Sequence, residues 1–107
     1  MPEFEGFEWN AAKSDSTYAE RGLDFEAAAH VFDGGFVQHE DLRRGYGEPR
    51  FLATGEVEGV VVTVVWTPRG HLRRIISAWP ASNRERREYR EYREAIERAD
   101  PEDEGTS

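Results

Sequence analysis

Hydrophobic positions along this 107-residue chain follow two periods, and the switches between them divide it into elements. Phe4, Phe7 and Trp9 are interleaved with Glu5 and Glu8, which predicts a short first strand, weakened at Gly6. Asn10 is a good N-cap for the segment opening Ala11-Ala12-Lys13, and Gly22 suits the position just past a helix C-terminus, so a helix of roughly 11 residues is expected. Tyr18 is nearly its only large apolar side chain, so this helix must lean on tertiary contacts. Phe25, Ala28, Ala29 and Phe32 then recur at helical spacing, with Asp24 as cap and Leu23 as staple, and Asp33-Gly34-Gly35 ends a second helix. The two make a helical hairpin.

From Phe36 the period changes. Residues 36–42 and 51–57 read as strands separated by a Gly- and Pro-containing loop, and Glu58-Gly59 turns the chain. Residues 60–66 are apolar on both faces, which marks a central strand. Thr67-Pro68-Arg69-Gly70 fits a type I turn, after which residues 71–78 return antiparallel and stop before Pro80. Ser82 and Glu85 form a capping box for a last helix ending near Ala99, with Tyr89, Tyr92, Ile96 and Ala99 as a narrow apolar stripe. The expected architecture is α+β: a strand, a helical hairpin, a four-stranded antiparallel meander and a C-terminal helix, with the helices mostly on one face. Residues 1–99 make one domain, and the acidic segment 100–107 is expected to be a disordered tail.

Composition narrows the function classes. Charged residues make up 34% of the chain, yet 12% are aromatic, which belongs to a folded domain rather than a disordered one. No apolar run approaches the roughly 20 residues of a membrane span, and the N-terminus lacks the basic and apolar regions of a signal peptide, so a cytoplasmic protein without a membrane partner is expected. The absence of Cys excludes thiolate metal sites and Cys nucleophiles. No Gly-rich phosphate loop and no clustered His/Asp spacing implies a cofactor, and none is expected. A net charge of −8 argues against general nucleic-acid binding, but the charge is unevenly distributed. Residues 1–68 carry 13 acidic and 5 basic side chains, residues 69–98 carry 5 Glu and 9 Arg, and the last nine residues add four acids. A local basic surface on an acidic protein is therefore possible.

Three segments carry a resemblance. They are Phe7-Glu8-Trp9-Asn10-Ala11-Ala12-Lys13; Arg21-Gly22-Leu23-Asp24-Phe25-Glu26-Ala27-Ala28 before Val31-Phe32-Asp33; and Arg74-Ile75-Ile76-Ser77-Ala78 followed by Ala81 and Arg84-Glu85-Arg86-Arg87-Glu88-Tyr89. In order and spacing they resemble the BrnT family of bacterial toxins. The resemblance implies a RelE-like fold, metal-independent endoribonuclease activity on RNA, and neutralisation by a BrnA-like ribbon-helix-helix antitoxin, through which any contact with DNA is indirect. Members usually have Lys-His-Gly where this chain has Glu20-Arg21-Gly22, an Arg where it has Trp79, and commonly an Asn at the position of Thr17.

Cutting RNA without a metal requires a base for the 2′-hydroxyl, cations for the phosphorane charge and an acid for the leaving 5′-oxygen. Arg stays charged, so the groups able to move a proton are His30, His39, His71, Glu20 and Glu85. Lys13, Arg74 and Arg86 are the candidate phosphate cations, with His71 or Glu85 as proton carrier; Arg21, Arg73, Trp79 and Arg84 are candidate RNA contacts. His71 shares a strand face with Arg73, and the alternation Leu72, Arg74, Ile76 puts a charge on an apolar face. His39 alternates outward on an edge strand. Arg84, Arg86 and Arg87 crowd a helix N-terminus, where cations oppose the macrodipole, so either a solvated face or a phosphate-binding one fits them. Trp79 is open to three roles: core filler, base-stacking platform or partner anchor. Two further readings stay open. One is a catalytically impaired homologue that serves only as partner of a ribbon-helix-helix antitoxin or repressor; the other is an acidic domain that binds some other cationic partner.

Overall fold

A computed structural model describes residues 4–43, 45 and 47–99, so the expected acidic tail lies outside the described residues. Five strands form one mixed sheet: β1 (Gly6–Trp9), β2 (Phe36–Glu40), β3 (Phe51–Val57), β4 (Val60–Arg69) and β5 (Leu72–Pro80), in the order β1-β5-β4-β3-β2. The expected meander of β2 to β5 is antiparallel throughout. β1 joins it as a parallel edge partner of β5, with Phe7 opposite Arg73 and Glu8 opposite Arg74. Glu58 (φ 50°) and Gly59 (φ 83°) are both left-handed, as a two-residue type I′ hairpin requires.

The β4–β5 turn falls later than expected. β4 continues through Pro68 to Arg69, and Gly70 (φ 59°) and His71 make the loop. Pro68 is tolerated because β3 reaches only as far as Trp66, leaving one side of β4 with no partner for the missing N–H. β5 likewise runs on to Pro80, opposite Val62 at its end.

α1 (Ala11–Arg21) has the expected cap, Asn10 Oδ1 accepting from the Lys13 N–H at 2.9 Å. It docks through small side chains rather than Tyr18, which is exposed: Ser14 and Thr17 are buried, and Ser14 Oγ accepts from the Phe25 N–H at 2.9 Å. The second helix is shorter than its apolar spacing predicts. It is α-helical only over Phe25–Ala28 and tightens to a 3₁₀ turn over Ala29–Asp33, whose Val31 lies against Gly55 of β3. Phe25, Ala28, Val31, Ala53, Val62, Val64, Trp66, Ile75 and Ala78 form the core between these helices and one sheet face. No helix among the described residues is long and apolar enough to cross a membrane.

The helices do not share that face. The last helix, α3 (Asn83–Arg98), lies on the other one, where Glu85 reaches Thr63, a residue that alternates with core Val62 and Val64. The sheet is therefore covered on both sides, which accounts for the doubly apolar β4.

Candidate active site

The site begins at the start of α3. Ser82 Oγ accepts from the Glu85 N–H, and Glu85 Oε1 accepts from the Ser82 N–H at 2.8 Å, completing the capping box. The same Oε1 also accepts from Trp79 Nε1 and Thr63 Oγ1, each at 3.1 Å, and Thr54 Oγ1 lies 2.8 Å from Thr63 Oγ1. Partial burial pushes the Glu85 carboxyl upward, but the hydrogen bonds from Ser82, Trp79 and Thr63 outweigh it and hold the group below its ordinary value. Glu85 is thus a fixed anion that orients the Trp79 indole and anchors α3 on the sheet.

β2 and the loop after it close the other side of a cleft of about 420 Å³. His39 Nε2 lies 3.1 Å from Glu88 Oε2, one helical turn beyond Glu85. Asp41 is buried and accepts from both Nε and Nη2 of Arg43 at 2.8 Å, which bends the chain as β2 ends. Leu52, Thr54 and half-buried Trp79 line the cleft, exposed Leu42 stands beside it, and Arg84 completes it with no ion pair among the described residues. An imidazole next to a carboxylate, a guanidinium with no counter-ion among the described residues and an aromatic wall are therefore within one concavity. Among the described residues no three His, Asp or Glu side chains group as metal ligands.

Of the sequence-selected residues, the cleft brings together His39, Trp79, Arg84 and Glu85. The others lie elsewhere. His71 is exposed in the β4–β5 turn, and at about 3.3 Å per strand residue roughly 25 Å of chain separates it from Trp79. Arg74 Nη1 donates to Glu8 on β1 at 3.0 Å. Lys13 is exposed on α1. Arg86 donates to the Ala81 carbonyl at 2.9 Å and to Asn83, and borders a groove with Tyr89 and Arg90 rather than the cleft. Arg21 donates to the Ala78 carbonyl at 2.8 Å, beyond the stretch of β5 that β1 covers, and so supplies a donor where the sheet edge has none.

A register irregularity reverses the expected faces of Arg73 and Arg74. Val65 opposes Ser77 but Trp66 opposes Ile75, leaving Ile76 as an extra residue. Arg73 therefore shares the face of Ile75, its guanidinium 4.2 Å from the Phe32 ring centroid, 4.7 Å from Phe4 and 4.8 Å from Trp66. Burial lowers its pKa, and its Nε has no hydrogen-bond partner among the described residues. Arg74, not Arg73, faces the side that bears the cleft. The site residues that sequence reasoning underweighted are His39, Asp41, Arg43 and Glu88. His39 was legible only as a proton carrier on an edge strand, because its partner is 49 positions away.

The family profile described as ribonuclease toxin, BrnT, of type II toxin-antitoxin system matches residues 9–85. The chain belongs to the BrnT family. Membership makes it a ribonuclease toxin of a type II toxin-antitoxin system, with RNA as substrate and an antitoxin as partner. The matched region includes the β2 and β3 sides of the cleft, Trp79, Arg84 and Glu85, and ends just before Glu88. Among curated proteins, none matches the chain.

Proposed function

We propose that residues 1–99 are a metal-independent, RelE-like endoribonuclease domain that cuts RNA in the cytoplasm, at the cleft between β2, β5 and α3. A BrnA-like ribbon-helix-helix antitoxin silences it and provides its only link to DNA. The observation that carries the reading is the His39–Glu88 pair in one concavity with Arg84. His39 takes the proton of the 2′-hydroxyl as that oxygen attacks phosphorus, and Glu88 stabilises the imidazolium that results. Arg84 holds the charge that develops on the non-bridging phosphate oxygens. The leaving 5′-oxygen takes its proton from solvent, so the products are a 2′,3′-cyclic phosphate and a 5′-hydroxyl. Lys13, His71, Arg74 and Arg86 are not required for this chemistry; Arg21 and Arg73 act through the fold.

The test is incubation of purified protein with a labelled single-stranded RNA in EDTA. Cleavage to cyclic-phosphate ends is expected, and His39→Ala should lower the rate by about 10²–10⁴-fold, the usual contribution of a positioned proton carrier, with the circular dichroism spectrum unchanged. A specific observation keeps the impaired-homologue reading as the alternative: Trp79 and Arg21, standing where family members usually have Arg and His, are committed to Glu85 and to the Ala78 carbonyl. Intact RNA together with stable antitoxin binding would establish that reading instead.

A further inference from the structure

Among the described residues, carboxylates outnumber guanidinium groups in the lining of the cleft. Among the described residues its lining carries the carboxylates of Glu40, Asp41, Glu85 and Glu88 against the guanidinium groups of Arg43 and Arg84. Asp41 is neutralised by Arg43. Glu85 and Glu88 each have one oxygen committed, Oε1 to Trp79, Thr63 and Ser82, and Oε2 to His39. Glu85 Oε2 and Glu88 Oε1 have no donor among the described residues. Both residues lie three apart on the same helix face and line the same cavity. Beside them is the Trp79 ring, pinned by its Nε1 bond, with Leu52 and exposed Leu42 nearby.

An aromatic wall with two unspent anionic acceptors recognises a flat group that carries adjacent donors. The geometry points to guanine as the base this cleft selects, stacked on Trp79 and read by Glu88 and Glu85 through N1–H and N2–H₂. The proposal rests on the reading of the cleft as an RNA site. Guanine is the base whose Watson–Crick edge presents two neighbouring donors. Adenine and cytosine set one donor beside an acceptor, and uracil sets one donor between two acceptors, so each would bring a lone pair against a carboxylate. Hydrogen bonds to an ionised acceptor are also stronger than neutral ones. The volume lies within the roughly 300–1,000 Å³ of small-molecule sites, room for one nucleotide but not for a duplex. The base sits against Trp79, and its phosphate lies at the Arg84 side of the cleft, beside His39.

The experiment is calorimetric titration of the full chain with GMP, IMP, AMP, CMP and UMP, a readout independent of cleavage. GMP is expected to bind about 10–100-fold more tightly than AMP, CMP or UMP, the discrimination of a good bidentate pair. IMP, which keeps N1–H and lacks the 2-amino group, should fall between. Glu88→Gln, an isosteric change at a half-exposed position, should leave the fold intact and reduce the GMP preference at least several-fold. Arg84→Ala should weaken all five ligands by a similar factor. Equal binding of the five, no binding at millimolar ligand, or an unchanged preference in Glu88→Gln would overturn the assignment. Failure of the wild-type chain to cut RNA in EDTA would count against the cleavage reading alone, since the nucleotide ratios are measured without it.

Discussion

Substituting Glu85 by Ala removes a single oxygen shared by three donors, so its effect on stability can be worked from the structure. Loss of the Glu85 half of the capping box removes the acceptor of the Ser82 N–H and costs about 1 kcal/mol. The Trp79 N–H and the Thr63 hydroxyl lose their acceptor, and a buried donor left unpaired costs about 1–3 kcal/mol. That range is an upper limit here, because Trp79 is half-exposed to water and the Thr63 hydroxyl can turn to Thr54. A net loss of about 2–3 kcal/mol is expected, and at roughly 4–8 °C per kcal/mol for a domain of this size Tm should fall by about 10–20 °C. Glu85→Gln keeps an acceptor and should lose about half as much.

The pH dependence has a definite sign. The folded carboxyl sits below its ordinary value, so its contribution is complete above the normal carboxylate range and is lost as pH falls through that range to the folded value. The wild-type chain should lose more stability on acidification than Glu85→Gln. Thermal unfolding by circular dichroism at neutral and mildly acidic pH measures both effects. A Glu85→Ala protein melting within about 2 °C of wild type would refute the argument that this carboxylate anchors α3.

Three other substitutions probe separate contacts. A Cβ on Gly35 would stand 2.5 Å from the Tyr92 hydroxyl, so Gly35→Ala should destabilise by about 1–3 kcal/mol; adding Tyr92→Phe, which removes that oxygen, should recover most of the loss in urea melts. Arg21→Ala deletes the donor to the Ala78 carbonyl and should cost about 1 kcal/mol, with faster hydrogen exchange confined to the end of β5. His71→Ala, at the turn far from the cleft, should leave RNA cleavage within a factor of about two of wild type, whereas a 100-fold loss would return the proton-transfer role to the β4–β5 turn.

Features that depend on a few neighbouring residues were legible in the sequence. The caps at Asn10, Asp24 and Ser82, the turn at Glu58-Gly59 and the apolar run of β4 stand where the local pattern predicts them. So did the family, which the spacing of its three segments marks. The expectations that moved depend on neighbours remote in sequence. Pro68 continues a strand because β3 ends beside it, and the second helix tightens where Val31 meets Gly55.

The sequence by itself determined which elements form, in what order, and that a cluster of Arg opens the last helix, because backbone preference and capping act within a turn or two of chain. Tertiary structure alone decided which side chains meet. One extra residue at Ile76 exchanged the faces of Arg73 and Arg74, since strand side chains alternate and a single-residue shift inverts them. Docking of α3 on the second sheet face brought Glu88 to His39 across 49 positions and turned an exposed edge-strand imidazole into half of a paired site. No local pattern encodes that meeting, because it follows from the register of four strands and the direction in which one helix leaves them.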